Sequence, residues 1–185
     1  MSKIILFNMM TLDGFFEGRN KEIDWHKVDN EFNDFAIEQL STASVLIFGR
    51  VTYELMAGYW PTQAALSDDP VVAKKMNSIP KIVFSRTLDR AGWNNTRLVR
   101  DDIKKECAKL KQQSGKDIFI FGSASLAATF KELGLIDEYR IMISPILLGQ
   151  GNSLFKPSEK RLELRLIKTK IFRSGNVLLC YEPGK

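Results

Sequence analysis

Residues 117–155 have the sequence DIFIFGSASLAATFKELGLIDEYRIMISPILLGQGNSLF, and this stretch decides the fold class. Its apolar start predicts a buried strand over 117–121 that ends in a glycine-containing turn. A helix from about 125 to 133, a strand from 139 to 148 and a glycine loop at 149–151 follow. A strand, a helix and a second strand in this order are typical of an α/β sheet with parallel strands.

The rest of the chain continues this alternation on the N-terminal side and becomes strand-rich on the C-terminal side. Short apolar runs predict buried strands, and amphipathic or acid-started segments predict helices. The sequence therefore predicts an α/β fold with a mixed, mostly parallel central sheet flanked by helices and closed by antiparallel C-terminal strands. The other predicted strands are 3–10, 45–48, 81–84, 162–172 and 176–181, and the other predicted helices are 29–40, from 52, from 70, and from after Asp101-Asp102 to about 113.

Length and charge limit the class of protein. We expect one domain over residues 1–185, a size that can bury a sizeable core. The formal charge of +5 favours a phosphorylated small molecule over nucleic acid, because the basic residues alternate with acids and form no basic arm. No apolar run reaches the roughly 20 residues of a membrane span, and the first residues lack a signal-peptide pattern. We expect a cytoplasmic protein that binds neither nucleic acid nor membrane.

Few side chains for histidine or cysteine chemistry are available. His26 is the only histidine, which makes a histidine-based zinc site or a serine-histidine triad hard to assemble. Cys107 and Cys180 lack the spacing of a metal site, and a disulfide would be unusual in a reducing compartment. We interpret both cysteines as structural and expect no metal.

Two predicted strand-to-helix junctions could each present backbone N–H groups to an anion. They are Gly49-Arg50-Val51-Thr52 and Gly122-Ser123-Ala124-Ser125, and parallel strands would place them on one edge of the sheet. A dinucleotide needs such donors for its pyrophosphate. Arg50 and Ser85-Arg86, just beyond predicted strand ends, could distinguish a 2′-phosphate from a ribose hydroxyl. Each glycine could equally serve a turn or close packing.

Four segments in order resemble the dihydrofolate reductase-like superfamily: MMTLDGFFEG (9–18), LIFGRVTYELMAGYWP (46–61), KIVFSRTL (81–88) and the stretch 118–155. They are most similar to the branch that contains the C-terminal reductase domain of bifunctional riboflavin-biosynthesis enzymes. The resemblance implies a dihydrofolate reductase-like fold that binds NADPH. It assigns the phosphate contacts to Gly49, Arg50, Thr52, Gly122, Ser123, Ala124, Ser125 and Leu126, and the surroundings of the adenosine 2′-phosphate to Ser85 and Arg86.

The same resemblance places Leu12-Asp13-Gly14 over the nicotinamide and makes Asp13 and Asp34 the candidate catalytic residues. Asp13 could instead serve the turn beside Gly14, and Asp34 could be a solvated helix acid. This chain departs from its relatives at Ser123, where many have glycine, and at Phe121, where riboflavin-pathway reductases often have an acid.

Phe16 and Trp60 are the candidate residues for stacking on a flat substrate, although both could equally be core or dimer contacts. We therefore expect an NADPH-dependent reductase that transfers hydride to a small heterocyclic substrate such as a pyrimidine or pterin. The ribosylaminopyrimidine reductase step of riboflavin biosynthesis is the family-level example. The alternative is a non-catalytic NADPH-binding module for regulation or assembly. The resemblance also implies a homodimer to which the C-terminal strands contribute.

Overall fold

A computed structural model describes residues 2–113, 115–158 and 160–184. Ten strands and six helices follow one another in these residues, and most of the predicted elements are present within a few residues of their expected ends. The strands are β1 (Ile4–Thr11), β2 (Phe15–Glu17), β3 (Ala43–Gly49), β4 (Lys81–Phe84), β5 (Thr96–Val99), β6 (Asp117–Ile120), β7 (Glu138–Ser144), β8 (Asn152–Ser153), β9 (Leu164–Ile171) and β10 (Val177–Pro183). The helices are α1 (Asn30–Ser41), α2 (Arg50–Tyr59), α3 (Gln63–Asp68), α4 (Pro70–Ser78), α5 (Ile103–Gln113) and α6 (Ala124–Glu132).

Eight strands form one sheet in the order β5-β4-β3-β6-β1-β7-β10-β9. The first six run parallel, whereas β10 pairs antiparallel with both β7 and β9. This confirms the predicted mixed, mostly parallel sheet with antiparallel C-terminal strands. Because the six parallel strands share one direction, their carboxyl ends meet at one edge of the sheet, where ligands of open α/β sheets bind.

The sheet is covered on both faces, which explains why its central strands are apolar throughout. All eight residues of β1 are buried. On one face α1, α2 and α4 pack through Phe35, Tyr53 and Met76. On the other face α5 and α6 pack through Leu110 and Phe130. Each large side chain buried in this way contributes about 1.5–3 kcal/mol relative to leaving it exposed.

Short polar residues start several helices. The carboxylates of Asp29 and Asp69 accept hydrogen bonds from the N–H groups of Phe32 and Val72. Pro70 at the first turn of α4 has no N–H to leave unsatisfied, as predicted from the sequence. Such caps contribute about 1 kcal/mol each and fix where the helices begin.

The structure differs from the predicted elements where local pattern is weak. Strand β7 ends at Ser144 and not at 148, because Pro145 lacks the N–H that would continue the ladder. The strands β2, β5 and β8 and the helix α3 were not predicted, since each is short and none has a clear apolar period. Among the described residues, no helix is long and apolar enough to cross a membrane.

Candidate functional site

The two predicted phosphate junctions lie side by side at the carboxyl edge of the sheet, because β3 and β6 are neighbours. The N–H of Gly49 donates to the carbonyl of Gly122 over 2.9 Å. A Cβ at Gly49 would collide with the Ser123 hydroxyl and lie 3.1 Å from the Ser123 backbone nitrogen. Gly122 has φ of +108°, and a Cβ there would lie 3.0 Å from the hydroxyl oxygen of Thr52. Both glycines are therefore required by this close approach of the two junctions.

Both helices that start here lack a side-chain cap. Gly49, which has no side chain, precedes α2. Ser123 precedes α6, and its hydroxyl accepts no hydrogen bond from the first N–H groups of that helix. The Ser123 hydroxyl contacts the Ser125 hydroxyl over 2.9 Å instead. The first N–H groups of a helix have no partner within the helix and carry its positive end. Two such ends on one edge favour an anion with more than one phosphate.

A cleft of about 460 Å³ opens beside these junctions. It brings together seven of the ten predicted cofactor residues. Of the other three, Thr52 lies close to Gly122 next to the cleft, and Ala124, the first residue of α6, packs against the core. The cleft is lined by Gly49, Arg50, Val51, Phe84, Ser85, Arg86, Arg100, Asp101, Asp102, Ile103, Ser123, Ser125, Leu126 and Thr129.

The end of the cleft formed by β4 and β5 is rich in charge. The Ser85 hydroxyl oxygen accepts the N–H groups of Thr87 and Leu88 over 3.2 and 3.0 Å, so it stabilises the turn after β4. Arg86 is highly exposed and forms an ion pair with Asp101 at 3.4 Å. Sequence analysis did not identify Arg100, which follows the short strand β5. The signal for it was an arginine directly after a strand, but that strand was not predicted.

The carboxylate of Asp13 joins two loops at the same edge. It accepts hydrogen bonds from the Thr11 hydroxyl at 2.6 Å and from the N–H groups of Leu148 and Gly149 at 3.2 and 2.8 Å. The Thr11 hydroxyl and the Gly149 N–H lower the pKa of Asp13 below its ordinary value. The side chain is thus an ionised acceptor that fastens the turn at 12–14 to the loop after β7.

The other predicted catalytic and substrate residues are not gathered at one point. Asp34 is exposed on α1. Phe16 packs against the core on the α5 and α6 side, whereas Trp60 packs against the core on the α1 side. The Trp60 indole N–H contacts the Met56 sulfur at 3.1 Å. In this conformation, Phe16 and Trp60 do not form one stacking pair.

Among the buried polar side chains near this edge, Asn8, Ser144 and Asn176 each have an oxygen without a partner in the described residues, and sequence analysis missed all three. Ser144 is the last residue of β7 and pairs with Thr11 of β1, and Asn176 directly precedes β10. Ser144 Oγ and Asn176 Oδ1 make no hydrogen bond. The Asn176 amide nitrogen donates to the Lys27 carbonyl over 3.0 Å. A buried polar group without any partner costs about 1–3 kcal/mol.

The fold shows the class of protein to which the chain is similar. The fold, a mixed eight-stranded sheet with helices on both faces, is similar to that of dihydrofolate reductase-like proteins. A dihydrofolate reductase from Enterococcus faecalis, solved with NADP(H), superposes with a TM-score of 0.65 over 99% of this chain and 97% of its own, at 14% identity. A protein from Shewanella sp. PV-4, provisionally named for riboflavin biosynthesis, superposes with a TM-score of 0.76 over 99% of both chains, at 24% identity.

Within that class, the chain belongs to the RibD C-terminal domain family, whose model matches residues 2–179. The uncharacterized protein YyaP of Bacillus subtilis (strain 168) is 39% identical over 181 residues, which cover 97% of this chain and 94% of YyaP. The resemblance inferred from the four sequence segments is thereby confirmed. Among the described residues, no group of three or more histidine, cysteine, aspartate or glutamate side chains could hold a metal ion.

Proposed function

We propose that this protein is an NADPH-dependent reductase that transfers hydride to a small heterocyclic substrate such as a pyrimidine or pterin. The observation that carries the proposal is the cleft in which two uncapped helix starts meet three arginines. Membership of the RibD C-terminal domain family supports the reaction class, since a solved Thermotoga maritima relative of the same fold is named as a deaminase and uracil reductase. The cytoplasmic location expected from the sequence stays a prediction.

The cofactor contacts follow from the chemistry of the cleft. The first N–H groups of α2 and α6 would bind the pyrophosphate, since they are donors at positive helix ends. Arg86 and Arg100 lie at the other end of the cleft, beside Ser85, and would bind the adenosine 2′-phosphate. Arg50 pairs with Glu54 at 3.3 Å and would add positive charge near the α2 start. Bound NADPH would supply the hydride, and the protein would hold it against the substrate.

Asp13 would act on the nicotinamide side as a positioning residue. Its ionised carboxylate already accepts three hydrogen bonds, so its geometry suits holding the loops against the ring and does not suit giving up a proton. Asp34 stays the predicted acid from the resemblance alone, since its exposed position on α1 equally fits a solvated helix acid. Phe16 and Trp60 stay predicted substrate contacts, but they pack on opposite faces of the sheet, so in this conformation at most one of them contacts a given substrate ring.

A non-catalytic NADPH-binding module is the second candidate, and two observations favour it. The Asp13 carboxylate already accepts three hydrogen bonds within the protein, and the residue before the phosphate turn is Phe121. The Phe121 ring packs 6.0 Å from that of Phe7 and stacks 6.1 Å from that of Phe119. This aromatic packing leaves no carboxyl group at a position where riboflavin-pathway relatives often have one.

We also propose a homodimer through the edge strand β9. Seven of its eight residues are exposed, including Leu166 and Ile171, and nothing in the described chain pairs with its outer side. The unpaired backbone N–H and C=O groups of an exposed edge strand are a template for pairing with another chain. Analytical ultracentrifugation of wild type and a Leu166→Glu variant tests this. A wild-type monomer would refute the dimer.

The function is tested by following NADPH absorbance with a panel of pyrimidines and pterins, in parallel with calorimetric binding. A reductase consumes NADPH with at least one ring, whereas a binding module binds NADPH and consumes none. Arg100→Gln should weaken NADPH binding roughly tenfold, the scale of one hydrogen bond to a charged group. Arg90→Gln is the matched control, because this exposed arginine does not line the cleft. Absence of NADPH binding by the wild type would refute both candidates.

A further inference from the structure

The charged groups in the cleft differ in how firmly they are held. The Arg100 guanidinium donates to the backbone carbonyls of Arg86, Leu88 and Asp89 over 3.2, 2.9 and 3.2 Å. Within the described residues, no carboxylate forms an ion pair with it. Arg100 is therefore a fixed positive charge that also holds the loop after β4 in place.

Arg86 is the movable cation of the cleft. Its side chain is 83% exposed, and its partner Asp101 is 76% exposed. An ion pair this exposed is worth at most about 1 kcal/mol, so a ligand can break it. The second aspartate, Asp102, is committed elsewhere, because its carboxylate accepts the Lys105 N–H at 3.1 Å at the start of α5.

Arg86 and Asp101 provide the two kinds of side chain that distinguish NADPH from NADH. An arginine at the adenosine ribose accommodates a 2′-phosphate, whereas a carboxylate there accepts a hydrogen bond from a free 2′-hydroxyl. The Asp101 carboxylate contacts only the Nε of Arg86, so the Nη groups can bind a 2′-phosphate, which then lies close to the negative charge of Asp101. A 2′-hydroxyl meets no such opposition.

We propose that Asp101 limits the preference of this cleft for a 2′-phosphorylated nucleotide, so that the protein accepts NADH as well as NADPH. The inference rests on the proposed function and adds the residue that sets its cofactor preference. Asp101 acts against NADPH through its charge and in favour of NADH through its hydrogen-bond acceptor. Removing the charge therefore shifts the preference towards NADPH.

The test is calorimetric titration of NADPH and NADH into wild type, Asp101→Asn and Asp68→Asn. In wild type both nucleotides bind. In Asp101→Asn the ratio of the NADH Kd to the NADPH Kd rises about fivefold or more, the size expected of one unit charge acting over about 4 Å in water. Asp68→Asn removes the same charge from exposed helix α3, outside the cleft, and leaves the ratio unchanged.

The outcomes separate the two proposals. If wild type binds neither nucleotide, the proposed function itself fails. If wild type binds NADPH and Asp101→Asn leaves the ratio as it was, or if the control shifts it equally, the role of Asp101 is refuted while the function stands. Asp101 is exposed, so the fold tolerates the change, and Asp101→Ser provides a second variant with the same expected direction.

Discussion

Replacing Gly49 with alanine tests the geometry of the site through a single methyl group. Gly49 has φ of −81° and ψ of 164°, an extended conformation that any residue adopts, so only space requires glycine here. The added methyl group would collide with the Ser123 hydroxyl and would also lie 3.1 Å from the Ser123 nitrogen and 3.3 Å from its Cβ. The two junctions must then move apart.

Overpacking of this kind costs about 1–3 kcal/mol, and each 1 kcal/mol lowers Tm by about 2–4 °C in a domain of this size. We expect Gly49→Ala to lower Tm by roughly 3–10 °C. A helix N–H moved away from a phosphate also loses a hydrogen bond to a charged group, which weakens NADPH binding roughly tenfold. Thermal unfolding and calorimetric titration measure the two effects.

Gly58→Ala is the matched control, because this exposed glycine lies in α2, the helix that Gly49 precedes, with no atom within 4 Å of an added Cβ. It should raise stability by up to about 1 kcal/mol through helix propensity and leave NADPH binding unchanged. Adding Ser123→Gly to Gly49→Ala should restore part of the lost stability, since it removes the colliding side chain. Equal effects of Gly49→Ala and Gly58→Ala would refute the close approach of the junctions.

Two further predictions concern buried polar groups. Burial lowers the pKa of His26 from 6.5 to about 4, so the unfolded chain binds the extra proton between these values and the folded chain does not. The free energy of unfolding should therefore fall by about 3 kcal/mol as pH drops from 6.5 to 4. His26→Asn should remove that part of the loss. Urea unfolding at a series of pH values measures this, and the same pH dependence in wild type and His26→Asn would contradict it. Ser144→Ala should raise Tm by about 2–4 °C, because it removes a buried hydroxyl without a partner. Thr11→Val is the control and should lower Tm, since the Thr11 hydroxyl is hydrogen-bonded to Asp13 and to the Phe15 N–H. A large fall in the Tm of Ser144→Ala would contradict the prediction, because it would show that the Ser144 hydroxyl has a partner.

The sheet was predictable because its central strands are buried on both faces. The runs at 45–48, 81–84 and 117–121 are almost wholly apolar, which is the pattern of parallel strands between two helix layers. Glycines after two of these strands indicated the phosphate junctions, and the shared strand direction placed them on one edge. Strand β5 was not predicted because its sequence TRLV is not apolar throughout. Arg100, which follows this strand, was therefore not identified as a site residue.

The roles of single side chains depend on contacts with residues that are far away in the sequence. The donors that hold Asp13 lie at Leu148 and Gly149, more than 130 residues away, and no local pattern indicates them. Ser144 becomes a buried hydroxyl only because Pro145 ends β7 there and β10 folds back beside it. The sequence motif around Asp13 was therefore visible, while its structural partners were not.

The most direct test of the central claim is thermal unfolding of the wild-type protein with and without NADPH. At about 100 times its Kd, a ligand that binds only the folded state adds roughly 2.7 kcal/mol, which corresponds to a rise in Tm of about 5–10 °C for a domain of this size. The cleft at the carboxyl edge predicts that rise. An unchanged Tm at saturating NADPH concentrations would contradict the assignment of this cleft to a nicotinamide dinucleotide.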